Sequence, residues 1–349
     1  MHRHASPLAQ VVAALVALAV VLAVAGCGGA SDSATGAAIS ANGATKLALV
    51  AYSTPQVVYD QVVPAFQQTA AGKGVGVTTS FGPSGEQSRS VAAGLPADVV
   101  SFSIQPDMQR LVKAGIVAPG WSSAPYHGLV NTSLVTFVVR KGNPKGIHTW
   151  SDLLKPDVEV LTPNPFTSGS AKWNLLAAYG QASNDGRDPQ AGLAYVKELL
   201  TRHVKVQDKS AREALQDFAS GNGDVLLSYE SEAITAQKKG QDVDYVTPDE
   251  TIRIDIPIAV TTTSEHPAQA QALVDYTRSA AAQQVFADWG YRPVNPAVLK
   301  ANAAKFPVPP GLFTIDDLGG WATLDSSLFD VTHGSIAKIE QQVGVSTAK

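Results

Sequence analysis

Leu161-Thr162-Pro163-Asn164-Pro165-Phe166-Thr167-Ser168-Gly169-Ser170-Ala171-Lys172-Trp173-Asn174 stands between an apolar, β-branched run, Val158 to Thr162, and an amphipathic run from Trp173 to Tyr179. The order is strand, tight turn, helix. Pro163 and Pro165 fix φ and remove backbone donors on the way in, and the small residues Thr167 to Ser170 stand where a helix should be capped. A helix starting here directs unbonded N–H groups and the positive end of its dipole outward, so the turn is a candidate oxyanion site. An ordinary Ser/Thr cap would carry the same residues, and such turns occur throughout α/β proteins, so the rest of the chain must decide.

The same chemistry recurs upstream and downstream. Leu47 to Tyr52 is an almost wholly apolar run that ends at Ser53-Thr54-Pro55, after which Val57, Val58, Val62, Val63 and Phe66 recur at near-helical spacing. Val75 to Phe81 empties into Gly82-Pro83-Ser84-Gly85, Ala97 to Phe102 forms a third strand, and Asp224 to Tyr229 enters a helix at Glu230-Ser231-Glu232. Leu129 to Arg140 is the longest β-branched run, and Ile252 to Val260 alternates polar residues as a strand crossing between lobes would. Alternating strands and helices joined by short turns predict an α/β fold with a mainly parallel sheet covered on both faces. Four turns, at Ser53-Thr54, Ser84-Gly85, Ser168-Gly169-Ser170 and Ser228-Tyr229, all lie where a buried strand ends, the edge at which α/β sheets hold ligands. Together they favour a cleft lined by N–H groups and hydroxyls.

The N-terminus and the charge balance limit what such a cleft can serve. Residues 1–26 open with His2, Arg3 and His4 and run apolar from Leu8 to Ala25, and Val24-Ala25-Gly26-Cys27 has the form of a lipoprotein signal in which Cys27 is lipidated after cleavage. Cys27 is the only cysteine, so neither an internal disulfide nor a cysteine zinc site is available. Residues 27–45 are mostly Gly, Ala, Ser and Asn, a composition that predicts a flexible tether to a folded part beginning near Lys46. With 26 Lys and Arg against 30 Asp and Glu and no long basic block, nucleic-acid binding is disfavoured, and a bound anion must be held by local dipoles.

Several ordered motifs then identify a resemblance. Ser84-Gly85-Glu86-Gln87, Val138-Val139-Arg140-Lys141-Gly142-Asn143-Pro144, Thr162-Pro163-Asn164-Pro165 with Ser168-Gly169 and Trp173-Asn174, Gly223-Asp224-Val225-Leu226 leading to Glu230-Ser231-Glu232-Ala233, Tyr291-Arg292-Pro293 and Phe313-Thr314-Ile315-Asp316 resemble the bacterial sulfate-binding proteins that serve sulfate and thiosulfate ABC importers, over Lys46 to about Gly334. The resemblance implies a two-lobed periplasmic-binding-protein fold of the type II, Venus-flytrap kind, with two crossing strands. Lobe I would comprise 46–128 and 255–349, and lobe II 129–254. It implies a dehydrated sulfate held by backbone N–H groups, a serine hydroxyl and an indole N–H, without a counter-charge or cofactor. Carried over, the ligands are Ser84, Ser168, Gly169 and Ala211. Ser53 and Ser170 stand where the family usually has aspartate and glycine, and Tyr229 stands where it has tryptophan. The resemblance further implies a monomer anchored outside the cytoplasmic membrane through lipidated Cys27, with an ABC permease as partner.

Physical chemistry supports the ligand class separately. Sulfate offers only acceptors, so a site of donors alone favours it over phosphate, whose proton needs an acceptor; an unpaired buried group costs about 1–3 kcal/mol. A molybdate- or phosphate-type receptor of the same fold is the nearer alternative. A serine-dependent hydrolase has little support, because Glu86 breaks the Gly-x-Ser-x-Gly elbow and Ser168 lies four residues before Lys172 rather than three. His127, His148, His203, His266 and His333 are scattered and read as surface residues, offering no metal site, whereas Trp150, Trp173, Trp289 and Trp321 read as core. Arg212 and Lys172 flank the proposed turns, as solvated helix-start side chains or as supports for the anion.

Overall fold

A computed structural model describes residues 37–40 and 43–348. The signal segment, Cys27 and most of the tether lie outside these residues. The chain begins with strands β1 (Ala37–Ser40) and β2 (Thr45–Tyr52), helix α1 (Gln56–Gln67), β3 (Val75–Gly82), α2 (Ser84–Ala92), β4 (Val99–Ser101), α3 (Gln105–Lys113) and the long β5 (Leu129–Arg140). Then come β6 (Val160–Leu161), α4 (Gly169–Ala182), α5 (Pro189–Glu198), β7 (Val204–Val206), α6 (Ala211–Ala219), β8 (Val225–Tyr229), α7 (Glu230–Lys238), β9 (Val243–Val246) and β10 (Glu250–Val260). The final part holds α8 (Pro267–Thr277), α9 (Ala280–Asp288), β11 (Arg292–Pro293), α10 (Pro296–Ala301), β12 (Gly311–Phe313), α11 (Gly320–Leu328) and α12 (Ser335–Gln342).

The strands run in the order β1-β3-β2-β4-β10-β5-β8-β6-β7. β2 pairs in parallel with β3 and β4 on one flank, and β6 pairs in parallel with β7 and β8 on the other. Between them β5 and β10 pair antiparallel, Leu134 opposite Arg253 through Asn131 opposite Ile256. β10 continues to β4 and β5 continues to β8, so each long strand belongs to both flanks. These are the two crossing strands that the resemblance implies. Their apolar residues, among them Val135, Phe137, Val139, Ile252, Ile254 and Ile256, are buried in one core cluster with both flanks, while Arg253 and Asp255 leave one stretch of β10 facing solvent.

The structure departs from the sequence expectation in three places. Ala37–Ser40, placed in the tether, pairs antiparallel with the edge of β3, Ala37 opposite Thr79. An edge strand offers open N–H and C=O groups, and pairing with it needs backbone only, not an apolar pattern. The chain from Gly311 onward, expected with lobe I, packs on lobe II. There β12 pairs with β10 at Glu250 to Ile252, Trp321 meets Trp173 edge-on at 4.8 Å, Gln207 Nε2 donates to Glu340 Oε2 (2.8 Å), and Asn164 Nδ2 donates to Ser346 O (2.9 Å). The apolar face of α12 finds its partners there, whereas α11 also packs against α3 of the first lobe. His203, expected at the surface, is buried in a π turn with Nδ1 3.2 Å from Val158 O.

Candidate functional site

The strand-to-helix turns converge on one seam between the lobes. Gly85 N at the start of α2 donates to Thr167 O (3.1 Å), Trp173 Nε1 in α4 donates to Ser103 O (2.6 Å), and Arg212 Nη1 in α6 donates to Gln56 Oε1 at the start of α1 (2.8 Å). Each bond joins one flank of the sheet to the other, so the lobes stand closed. The approach is tight enough to require glycine at one point. A Cβ on Gly169 would lie 2.1 Å from Ser103 Oγ and 3.1 Å from Ile104 Cγ2.

Ser168 occupies the N-cap position of α4 with extended backbone, φ −107° and ψ 125°, yet it makes no side-chain cap bond. Its hydroxyl pairs with that of Ser170 at 2.8 Å instead. The ordinary cap that the sequence also allowed is therefore not what this serine does, and the first turn of α4 keeps its N–H groups directed at the seam. Ser84 has a different role from a free hydroxyl. Its Oγ donates to Asp107 Oδ2 (2.7 Å) and accepts from Ser103 N (3.0 Å), while Arg110 Nη1 pairs with Asp107 Oδ1 (2.7 Å). What Ser84 can offer an anion is its backbone N–H. Ser53 is buried where β2 ends, Ala211 is buried as the first residue of α6, and Ser210 caps that helix by accepting from Glu213 N (3.2 Å).

Tyr229, fully buried at the end of β8, belongs to a polar wall behind these turns. Tyr229 Oη, Ser103 Oγ, Ser228 Oγ, Tyr52 Oη and both side-chain atoms of Asn131 are buried without a hydrogen bond of good geometry among the described residues. The Tyr229 and Ser103 hydroxyls lie close together and still fall short of one. Groups of this kind cost about 1–3 kcal/mol each when left unpaired. Burial raises the Tyr52, Tyr229 and Tyr291 phenols well above their ordinary value, so all three stay protonated and can donate. Beneath Tyr229, the next residue, Glu230, forms a buried bidentate pair with Arg292 at 2.6 and 2.9 Å. Burial raises the Glu230 carboxyl, and Arg292 pulls it the other way.

At the rim of the seam Lys172 pairs with Asp325 across to α11, and Arg89, beside Gly85, has its pKa lowered first by burial and then by neighbouring Arg110. Arg212 and Lys172 thus tie elements together and are not merely solvated. Among the described residues no cluster of three metal-ligating side chains occurs, and no helix is long and apolar enough to cross a membrane. Ser103 and Asp107 escaped the sequence reading. Ser103 follows the buried strand Val99 to Phe102, the same hydroxyl-after-strand signal as the other turns, and could have been found by it.

Two α/β lobes on two crossing strands, closed over a seam of N–H and hydroxyl donors, define a receptor for a small solute. The chain belongs to the bacterial extracellular solute-binding proteins, whose family model matches residues 47–292. It is 38% identical over 339 residues to the sulfate-binding protein of Synechococcus elongatus, covering 95% of each chain. It is 35% identical to the thiosulfate-binding protein of Escherichia coli, over 85% of this chain and 91% of the relative. Among solved structures, the sulfate-binding protein SubI from Mycobacterium tuberculosis superposes with a TM-score of 0.80 at 50% identity, covering 82% of this chain and all of that one.

Proposed function

We propose that this chain captures sulfate, and thiosulfate as a close analogue, in the interlobe seam and delivers it to an ABC permease without chemical change. The observation that carries this reading is the convergence of N-terminal helix turns on one seam whose buried carboxylate, Asp107, is already engaged by Arg110 and Ser84. The turns offer an entering anion mainly N–H and hydroxyl donors, and that favours a fully ionised oxyanion over one that keeps a proton. The identities of the relatives support the same ligand class.

In this reading the contacts come from Ser53, Ser84, Ser168, Gly169, Ser170, Ala211 and Tyr229. Ser84 and Gly169 act through N–H groups, Ser168 and Ser170 through a shared pair of hydroxyls, and Tyr229 through its phenol. The first lobe comprises 46–128 with 255–310, and the second 129–254 with 311–348. The protein works as a monomer, held at the outer face of the membrane by lipid on Cys27. Ligand selects the closed state because it bonds to both lobes at once.

Calorimetry on the chain from residue 28, which keeps β1 and omits Cys27, tests the assignment. Sulfate is expected to bind about tenfold or more tighter than phosphate at neutral pH. Equal affinities, or heat with molybdate alone, would overturn it.

A further inference from the structure

A small opening of about 20 Å³ lies at the rim of the seam, where the lobes meet. Its lining joins Ser168 and Gly169 to three cations, Arg89, Arg110 and Lys172, and to two carboxylates, Asp107 and Asp325. Two of the cations are matched, since Arg110 Nη1 pairs with Asp107 Oδ1 (2.7 Å) and Lys172 pairs with Asp325. The half-buried Arg89 side chain makes no hydrogen bond or ion pair among the described residues. Of the charges that act on it, Arg110, of like sign, is the strongest; Asp107, already held by Arg110 and Ser84, and Glu86, one turn earlier in α2, oppose it less.

The geometry sets Arg89 at the line of contact. Gly85 N donates to Thr167 O across the seam (3.1 Å), and a Cβ on Gly85 would stand 3.0 Å from that same oxygen and 3.1 Å from Arg89 Nη1. A guanidinium keeps its charge at every physiological pH. The chain as a whole has a formal charge of −4, which repels a dianion. At the opening the balance is reversed, three cations against two carboxylates, and the surplus charge is that of Arg89. In the closed chain the opening has room for about one water and for no tetrahedral oxyanion, so an anion can approach Arg89 only while the lobes are apart.

We propose that Arg89 is the entry residue of the seam: its free guanidinium draws a divalent oxyanion to the open mouth, beside the turn at Ser168 and Gly169, and makes no bond to it after closure. This rests on the reading of the seam as the anion site. A charge at a rim governs the rate of arrival and its dependence on salt, whereas a buried ligand governs the rate of escape.

Stopped-flow tryptophan fluorescence on the full chain in detergent reads both rates for sulfate, since Trp173 Nε1 bonds across the seam to Ser103 O (2.6 Å). In the native chain kon should fall as KCl rises from about 10 to about 500 mM, although the net negative charge alone would give the opposite slope. Arg89→Gln should lower kon about three- to tenfold at the low end, match the native chain at the high end, and change koff less than about twofold. Arg89→Lys, which keeps the charge, should restore most of the rate. A native kon that is flat or rises with salt overturns the proposal, even if the Gln variant fails to fold. So does an unchanged kon in Arg89→Gln, a loss carried by koff, which would make Arg89 a ligand, or a Lys variant no faster than the Gln one. If molybdate, of the same charge, gives the signal and sulfate does not, the sulfate assignment fails while the same series in molybdate decides the role of Arg89; if neither does, both fall together.

Discussion

Gly169→Ala separates closure of the lobes from folding of the chain. The added Cβ would lie 2.1 Å from Ser103 Oγ and 3.1 and 3.2 Å from the two γ carbons of Ile104, where ordinary contact begins near about 3.5 Å. Ser103 is pinned on both sides, its N–H by Ser84 Oγ and its carbonyl by Trp173 Nε1. If its hydroxyl swings away, only the Ile104 overlap remains and the lobes give by a few tenths of an ångström. If it cannot, they must part by roughly 1 Å, which also stretches the bonds across the seam. Overpacking of this degree costs about 1–3 kcal/mol, and only the closed state bears it, so sulfate affinity should fall about five- to 150-fold. Calorimetry gives the affinity, and a thermal melt without ligand should show a midpoint unchanged within about 2 °C. Adding Ser103→Ala removes the nearest atom, and the pair of substitutions should cost less than the sum of the two. An unchanged affinity, or an unliganded melting point that falls in step with it, refutes the reasoning.

Ser168→Ala should weaken sulfate by about 1–3 kcal/mol with little change in the unliganded melting point, because the hydroxyl caps no helix N–H; a lower melting point with intact affinity would assign it a structural role. Arg292→Met leaves the Glu230 carboxylate buried alone and should cost about 3–5 kcal/mol in urea unfolding, whereas a loss under about 1 kcal/mol would mean that the pair behaves like a surface one. The Glu340 carboxyl is pushed up to about 7 by burial, with Gln207 as its opposing hydrogen-bond partner, from an ordinary 4.5. Since the folded value is the higher one, the folded chain retains a proton that the unfolded chain releases. The resulting stability is present below pH 4.5 and is lost as pH rises to 7, a change of about 3 kcal/mol at most. Urea melts between pH 4.5 and 8 should show this decline, and Glu340→Gln should flatten it; an identical slope in the variant would place the titration elsewhere.

The long buried strands were legible because their signal is local and continuous. Leu129 to Arg140 reads as one β-branched run and forms one strand with those bounds. β9, β11 and β12 were not, since segments of two to four residues are set by the neighbours they pair with and carry no pattern of their own. The first turn of α4 starts at Gly169, ahead of the amphipathic run that opens at Trp173, because Gly and Ser disfavour helix interiors and hide a start that the seam tolerates. The turns at Ser53, Ser84, Ser168 and Tyr229 were visible as hydroxyl or polar residues after buried strands. That Ser84 would spend its hydroxyl on Asp107 was not, because the partner lies 23 residues away on another helix. The placement of α12 on the second lobe, with α11 beside it, was equally hidden, as it depends on the Trp321 and Trp173 rings meeting although they lie 148 positions apart in the chain, the difference between their numbers.

Ala44, just before β2, and Ala348, just after the Ser346 carbonyl held by Asn164 Nδ2, are both exposed and ride on opposite lobes. Neither touches the seam. With Cys27 the only native thiol, a chain from residue 28 carrying Ala44→Cys and Ala348→Cys accepts a donor and an acceptor dye at those two points alone. Energy transfer between them would convert lobe closure into an optical gauge of anion concentration, with both dyes away from the turns proposed to hold the anion.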